Sequence, residues 1–325
     1  MEIVRIDERR AAEVAPLITD FRRAVLHPDE PECTTEEAAA RFAARPGRLP
    51  VTLLANDEGR PVGAARMMLR TESGVPGFVP ELFVSPAARR RGIGTALMAT
   101  LAEEGRGVGA PRLVLRQPDG DPAAEAFADA LGTARGFRGL QNRCRLSDVD
   151  TPRLQSWVDR AAERAAGWSL LGWDGACPDE RLDAFVEVQS AMAGAPVPEV
   201  AVTHQSASDI RDAEASAAAL GLTHWVLAAR LDATGELGGF TEIQFVPWQP
   251  WLGQQGDTGV MPAHRQLGLG RWLKAAMALR VLAERPEVTQ IETNTAEDNP
   301  PMRAINEAMG FRVAVVWQDR ELSLA

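Results

Sequence analysis

Along this chain, short stretches in which apolar and polar residues alternate are separated by longer ones in which apolar residues recur every third or fourth position. The first kind predicts half-buried strands and the second amphipathic helices. MEIVRI alternates and predicts a strand, while Arg9 to Leu26 carries helical spacing. HPDEPEC breaks that helix, and Thr35 is placed to cap a short one, EEAAARFAA. VTLLAN, DEGRP and VGAARMML then predict strand, turn and strand, and ELFV, Glu81 to Val84, is a strand cut short by Pro86. Thr95 to Gly105 is a helix with Leu97, Met98 and Leu101 at core spacing; RLVLRQ is a strand, AAEAFADALG a helix, and LQNRCRLS a last strand after a turn at Gly136-Phe137.

Beyond the polar stretch Ser147 to Thr151 the same plan starts again. Pro152 to Ala166 predicts a helix with Leu154, Trp157, Val158 and Ala161 on one face. WSLLGW is a strand, ERLDAFVEVQSAM a helix, and HWVLAAR with GGFTEIQF a hairpin. FVPWQPWLGQQ is an insertion relative to the first half, whose Trp248 and Trp251 either line a substrate pocket or close a core edge. DTGV is the next strand, Gly270 to Ala283 a long helix, and VTQIETNTAEDNPPMRAINEAMGF runs strand, loop, helix.

The repetition is most evident in VSPAARRRGIGTALM and VMPAHRQLGLGRWLK. Pro86 and Pro262, Arg89 and Arg265, and Gly92 and Gly268 are each 176 positions apart, as are Gly63 and Gly239; the two Gly-Phe pairs at 136 and 310 are 174 apart. A repeat this long is a duplicated domain rather than a solenoid unit, and the expected boundary divides 1–148 from 149–325. In both copies an apolar segment ends in V-x-P and a basic turn R-x-x-G-x-G leads straight into a helix. Such a turn suits phosphate, because glycine lets the backbone approach closely and a helix start carries about half a positive charge. A P-loop is excluded because G-x-x-x-x-G-K-[ST] is absent, and a dinucleotide fingerprint because its third small residue is Leu97 in one copy and Leu273 in the other.

What remains resembles motif A of the GCN5-related N-acetyltransferases (GNAT), over nearly the whole chain. The resemblance implies an α/β fold of two tandem domains, each a twisted mixed sheet flanked by helices. It also implies an enzyme that moves an acetyl group from acetyl-CoA to the amine of a small molecule by direct attack on the thioester. It places the cofactor on Phe83, Val84, Arg89, Arg90, Arg91, Gly92, Ile93, Gly94 and Thr95 in the first half. In the second half the matching residues are Gly259, Val260, Arg265, Gln266, Leu267, Gly268, Leu269, Gly270 and Arg271, joined by Asn294 and Asn299, which fit motif B. The asparagines either meet the cofactor or cap the following helix.

A base must take the proton of the acceptor ammonium. Glu81 and Asp257 stand three residues before Val84 and Val260, and Glu242 lies on the neighbouring strand, so these three acids are the catalytic candidates. Glu242 corresponds to Arg66, so the two sites differ chemically. With two carboxylates against one and the fuller motif B, the second half is expected to do the transfer and the first to support it. The tyrosine that many of these enzymes use to protonate the leaving thiolate is missing, since the chain has no tyrosine; Gly132 and Asn306 occupy the matching positions and no donor is assigned. A non-catalytic acetyl-CoA-binding or scaffolding protein of the same build, and an enzyme of the mycothiol synthase type, are the alternative readings.

Composition narrows the partners. With 325 residues, 45% hydrophobic and 25% charged, two cores can form. A net charge of −10 argues against nucleic acid, whose binding rests on neutralised phosphates. No run is apolar enough for a membrane and the start has no signal-like core, so a cytoplasmic location is expected. Three scattered cysteines and four unpaired histidines, His27, His204, His224 and His264, predict neither a disulfide framework nor a metal site.

Overall fold

The computed structural model describes residues 1–42, 47–72, 74–192 and 206–325. His204 and the last two residues of the predicted helix EEAAARFAA lie outside them. The described chain forms two compact units. Unit 1 holds Met1–Gly139 and Val315–Ala325; unit 2 holds Leu140 to 192 and 206 to Ala314. The units are therefore not the consecutive halves 1–148 and 149–325, because unit 2 already starts at Leu140 and unit 1 takes back Val315–Ala325.

Unit 1 begins with β1 (Glu2–Ile6), α1 (Ala11–Val25), α2 (Thr35–Ala40), β2 (Arg48–Asp57), β3 (Arg60–Arg70) and β4 (Gly77–Val84). It continues through α3 (Ile93–Gly107), β5 (Arg112–Pro118), α4 (Pro122–Ala130) and β6 (Ala134–Arg145), which leaves unit 1 after Gly139. Unit 2 takes the rest of β6, then α5 (Thr151–Arg164), β7 (Trp168–Asp174), α6 (Leu182–Gln189), α7 (Ala207–Ala219), β8 (Thr223–Leu231) and β9 (Leu237–Phe245). Next come β10 (Leu252–Val260), α8 (Leu269–Glu284), β11 (Gln290–Ala296), α9 (Pro300–Met309) and β12 (Arg312–Ser323). The part of β12 in unit 1 runs antiparallel to β5, Trp317 opposite Pro118 and Ser323 opposite Arg112.

Within each unit the strand directions are mixed: β1 to β4 and β7 to β10 are antiparallel meanders, while β4 with β5 and β10 with β11 are parallel. Helices cover both faces, so central strands are buried on alternate sides. In β2, Val51, Leu53 and Ala55 meet Leu97, Met98 and Leu101 of α3, whereas Leu54 meets Val14, Leu17 and Ile18 of α1. In β8, Trp225, Leu227 and Ala229 share a core with Leu273, Met277 and Val281 of α8, and Val226 and Ala228 pack with Phe185 of α6.

Several local expectations change. Thr34, not Thr35, caps α2, its hydroxyl accepting from the Glu37 N–H. The residues Leu252 to Gln255 of the supposed insertion are paired strand, so only 246–251 form a loop. Gly136 and Phe137 lie inside β6 rather than in a turn. α7 went unrecognised in the pattern, although Ser206 caps it and alanines fill it. Gly132, at φ +72°, follows the end of α4 just as Gly310, at φ +101°, ends α9. The residue matching Asn306 is therefore Ala128, four before that glycine, and not Gly132.

Candidate active site

Both basic turns have one backbone shape. After a short 3-10 turn, Arg90 (φ +63°) and Gly92 (φ +79°) adopt left-handed conformations in unit 1, as Gln266 (φ +70°) and Gly268 (φ +84°) do in unit 2. Non-glycine residues rarely hold positive φ, so its recurrence at Arg90 and Gln266 marks a loop whose form is specified twice. Alternating backbone signs turn successive N–H groups toward one point, an anion-binding concavity. Here it opens on the first turns of α3 and α8, at Ile93 and Leu269, two and one residues earlier than expected. Glycine at 94 and 270 keeps that turn open.

The basic side chains divide their roles. Arg89 Nε donates to the Val84 carbonyl at 3.0 Å and Arg265 Nε to the Val260 carbonyl at 3.3 Å, so each motif arginine straps its turn to the strand end. Arg91 turns away to Asp57 at 2.8 Å, and the Arg271 guanidinium stacks 4.9 Å from the Trp157 ring.

In unit 1 the strands beside the turn separate. β4 and β5 pair only from Gly77 with Leu113 to Val79 with Leu115. Past that point lies a cleft of about 450 Å³. It is walled by Phe83, Val84, Arg89, Arg90, Gly92, Ile93, Gly94 and Thr95 from the turn side and by Leu115, Gln117 and Phe127 opposite. The motif residues other than Arg91 therefore converge on one concave site. Gln117 is buried with neither amide atom hydrogen-bonded, a feature the pattern of apolar residues gave no hint of. In unit 2, β10 and β11 likewise pair only from Leu252 with Gln290 to Gln255 with Thr293. Val260, Gly259 and the turn Arg265 to Gly270 follow that separation. Asn294 is exposed on the separated part of β11, and Asn299 caps α9, its Oδ1 accepting from the Met302 N–H at 3.3 Å.

The three candidate acids have opposite environments. β4 and β10 each carry one extra residue against their partner strand, between Phe78 and Glu81 and between Gln255 and Thr258. Such bulges re-aim side chains. Glu81 then meets arginines: it ion-pairs with Arg41 and, at 3.2 Å, with Arg66, which stands opposite it on β3. Burial alone would raise its pKa, but Arg41 and then Arg66 outweigh that and hold it at about 2. Arg41 also reaches Glu37 at 3.4 Å, and Glu37 pairs with Arg22, so the position is a closed ionic cluster. Asp257 has no such partner. Burial, and second the charge of Glu242, push its carboxyl up to about 6. Glu242 Oε1 lies 3.4 Å from the Asp257 backbone N–H, and its other oxygen is 3.3 Å from His224 Nε2. His224, absent from the sequence-based candidates, comes from β8, beside β9.

Trp248 and Trp251 fall outside this group. Both precede Leu252, where β10 begins, and Asp257 is six residues beyond Trp251. At about 3.3 Å per strand residue that is roughly 20 Å away. The Trp251 carbonyl instead accepts from the Thr289 and Gln290 N–H groups. No helix among the described residues is long and apolar enough to cross a membrane, and none of their His, Cys, Asp and Glu side chains form a group of three suited to a metal.

The sequence profile of the acetyltransferase (GNAT) family matches twice, over residues 15–133 and 190–311. The chain belongs to the GNAT acetyltransferase family. It is 34% identical over 273 residues to a mycothiol acetyltransferase of Clavibacter sepedonicus, covering 82% of this chain and 79% of the relative. A mycothiol acetyltransferase of Clavibacter michiganensis subsp. michiganensis is 33% identical over 276 residues, 80% of this chain and 76% of the relative. Among solved structures, a tandem GNAT protein from the clavulanic acid biosynthesis pathway superposes with a TM-score of 0.79 at 28% identity, over 100% of this chain and 98% of that one. The GNAT protein is thus an acyltransferase of tandem build, and family members generally use acetyl-CoA.

Proposed function

We propose that unit 2 transfers an acetyl group from acetyl-CoA to the amine of a small molecule, while the unit 1 cleft holds acetyl-CoA without transferring from it. The observation carrying this reading is the contrast between Asp257, half-buried beside Glu242 with a pKa near 6, and Glu81, locked by two arginines near 2. A general base works best with a pKa close to the working pH. Asp257 meets that condition and Glu81 is too weak a base by several units. When bound, acetyl-CoA supplies the thioester. Asp257 takes a proton of the acceptor ammonium; burial, and second the charge of Glu242, which accepts from the Asp257 backbone and faces His224, keep that carboxylate basic. The backbone N–H groups at the end of β10, about Val260, polarise the carbonyl under attack. The turn of Gln266 to Gly270 orients the phosphates, and holding both reactants together contributes roughly 7 to 11 kcal/mol.

The names of the two Clavibacter relatives favour one acceptor, the deacetylated amine form of mycothiol. A thiol-release assay with acetyl-CoA against an amine panel that includes this compound tests both statements. Turnover is expected in the wild type and in Glu81→Gln, and loss in Asp257→Asn. Turnover abolished by Glu81→Gln alone would transfer the chemistry to unit 1.

A further inference from the structure

Unit 2 has a second buried polar group, on the other face of its sheet, that the proton transfer at Asp257 does not use. Lys274, on the second turn of α8, is 1% exposed. Its Nζ donates to Gln255 Oε1 at 2.8 Å and stands 5.5 Å from the centre of the Phe311 ring. Gln255 in turn donates to Thr241 Oγ1 at 3.1 Å, and Thr241 shares a hydrogen bond of 2.7 Å with Thr258. Gln255, opposite Thr293, is the last residue of β10 paired with β11. Lys274 therefore sits directly under the point where the strands part. Nearby, Asn306 donates to Thr295 Oγ1 at 2.9 Å and keeps a buried Oδ1 with no partner.

Unit 1 shows that the fold does not require this group. Position for position, Gln255, Lys274, Thr293 and Asn306 correspond to Val79, Met98, Leu115 and Ala128, all buried and apolar. Burying a lysine without a carboxylate partner costs several kcal/mol of order, so a purely structural role leaves its presence unexplained. Burial is the sole cause that brings the Lys274 pKa down to about 7. Beside Gln255, Asn306 and the threonines named above, this face of β9, β10 and β11 presents Ile243, Phe245, Ile291 and Thr293, none of them charged. The other titratable group of this core is the Cys144 thiol, which burial and then Asp148 raise to about 11.

We propose that Lys274 receives the departing thiolate in unit 2 as an ion pair, taking the place of the tyrosine that this chain lacks. When the carbon–sulfur bond breaks, its electron pair stays on sulfur. The Lys274 ammonium pairs with that negative charge, and the thiolate takes its proton from solvent as CoA leaves. The acceptor nitrogen gains the bond to the acetyl carbon and loses two protons, the first to Asp257 and the second to solvent, to which Asp257 also returns its own. The inference rests on the reading that unit 2 binds CoA, and it predicts that free CoA binds there as a thiolate paired with the Lys274 ammonium.

Thiolate absorbs in the ultraviolet where thiol does not, so difference spectra with free CoA, desulfo-CoA and acetyl-CoA read the bound sulfur directly. Calorimetry on the same samples counts bound CoA. In the wild type we expect two CoA per chain, a thiolate band worth one of them, and no band with desulfo-CoA or acetyl-CoA. The apparent pKa of the bound thiol should lie at least one unit, a tenfold gain in acidity, below the free value of about 8.5. Lys274→Met, which installs the unit 1 residue, should remove the band and keep both sites. Two bound CoA without a band, or a band that survives in Lys274→Met, overturns the assignment. If only one CoA binds and Gly94→Val abolishes it, unit 2 is not a CoA site, and the reading beneath the inference falls with it. Should Lys274→Met fail to fold, the wild-type titration of the band still decides.

Discussion

Replacing Asp257 by Asn should stabilise unit 2 while silencing it. The carboxyl has a pKa of about 6 in the fold against an ordinary 3.8, because burial and Glu242 both oppose its charge. A raised carboxylate pKa favours the protonated form, so its stability contribution is complete below 3.8 and is lost as pH climbs through 6. A gap of about two units corresponds to roughly 3 kcal/mol of strain in the ionised state. Half-burial makes that an upper bound. Asparagine carries no charge at any pH. Its advantage should therefore be largest near pH 8, about half as large near pH 5, and absent below about pH 3.8. Tryptophan fluorescence during urea unfolding isolates the unit, since of eight tryptophans only Trp317 belongs to unit 1. The same substitution should lower kcat by roughly 10²- to 10⁴-fold, the usual worth of a general base. A variant less stable than wild type at pH 8 would refute the reasoning, because the carboxylate would then be making contacts that favour its charge.

Other consequences are separable. Glu81→Gln should leave turnover intact and destabilise unit 1 by about 3 to 5 kcal/mol, since Arg41 and Arg66 lose a buried partner; hydrogen exchange of β2 to β4 reads this. Because Glu81 is held near 2 against an ordinary 4.5, its contribution is present above 4.5 and fades as pH falls toward 2. Gly270→Val should remove one of two acetyl-CoA sites by calorimetry with the fold kept, the nearest atom to the new Cβ being Val260 Cγ2 at 3.5 Å. Gly94→Val should remove the other at some cost in stability, because its Cβ meets the Phe127 ring at 3.1 Å. Asn299→Ala should lower the stability of unit 2 by about 1 kcal/mol through the lost helix cap, with acetyl-CoA affinity unchanged.

The parts of this molecule legible in its sequence are those whose signal is local. Each basic turn needs its glycines and its V-x-P in consecutive positions, so the turns, their helices and the strands before them could be read directly. The offset of 176 carried that reading from one copy to the other up to the parting strands. Beyond them it misled: Gly136-Phe137 imitates Gly310-Phe311 but lies inside β6, and the true counterpart of Gly310 is Gly132. Nothing local distinguishes a Gly-Phe pair that ends a helix from one inside a strand. The membership of β12 in unit 1 was equally hidden, because its pairing with β5 joins residues about two hundred positions apart. Arg66 stands out in the sequence only as the counterpart of Glu242; that it pairs with Glu81, and that Arg41 and Glu37 close the cluster, depends on the strand register and on a helix 40 positions before that acid.

The two copies differ by few exchanges at matched places, and the proposed division of labour rests on them. At the position across from the strand acid, arginine stands in unit 1 and glutamate in unit 2; with Arg41 in the one and burial in the other, the exchange separates a strongly acidic carboxylate from a nearly neutral one. At the parting of the strands, valine, methionine and leucine in unit 1 face glutamine, lysine and threonine in unit 2. Unit 1 thereby keeps an open cleft and gives up a usable base, while unit 2 keeps an unpaired base on one face and gains a buried amine on the other. Neither change touches the turns, where both copies hold the same left-handed residues and the same strapping arginine. On the proposed reading unit 1 loses transfer without losing its ligand, because the cradle for phosphate would be the backbone of one loop while the base would be a side chain on a strand behind it.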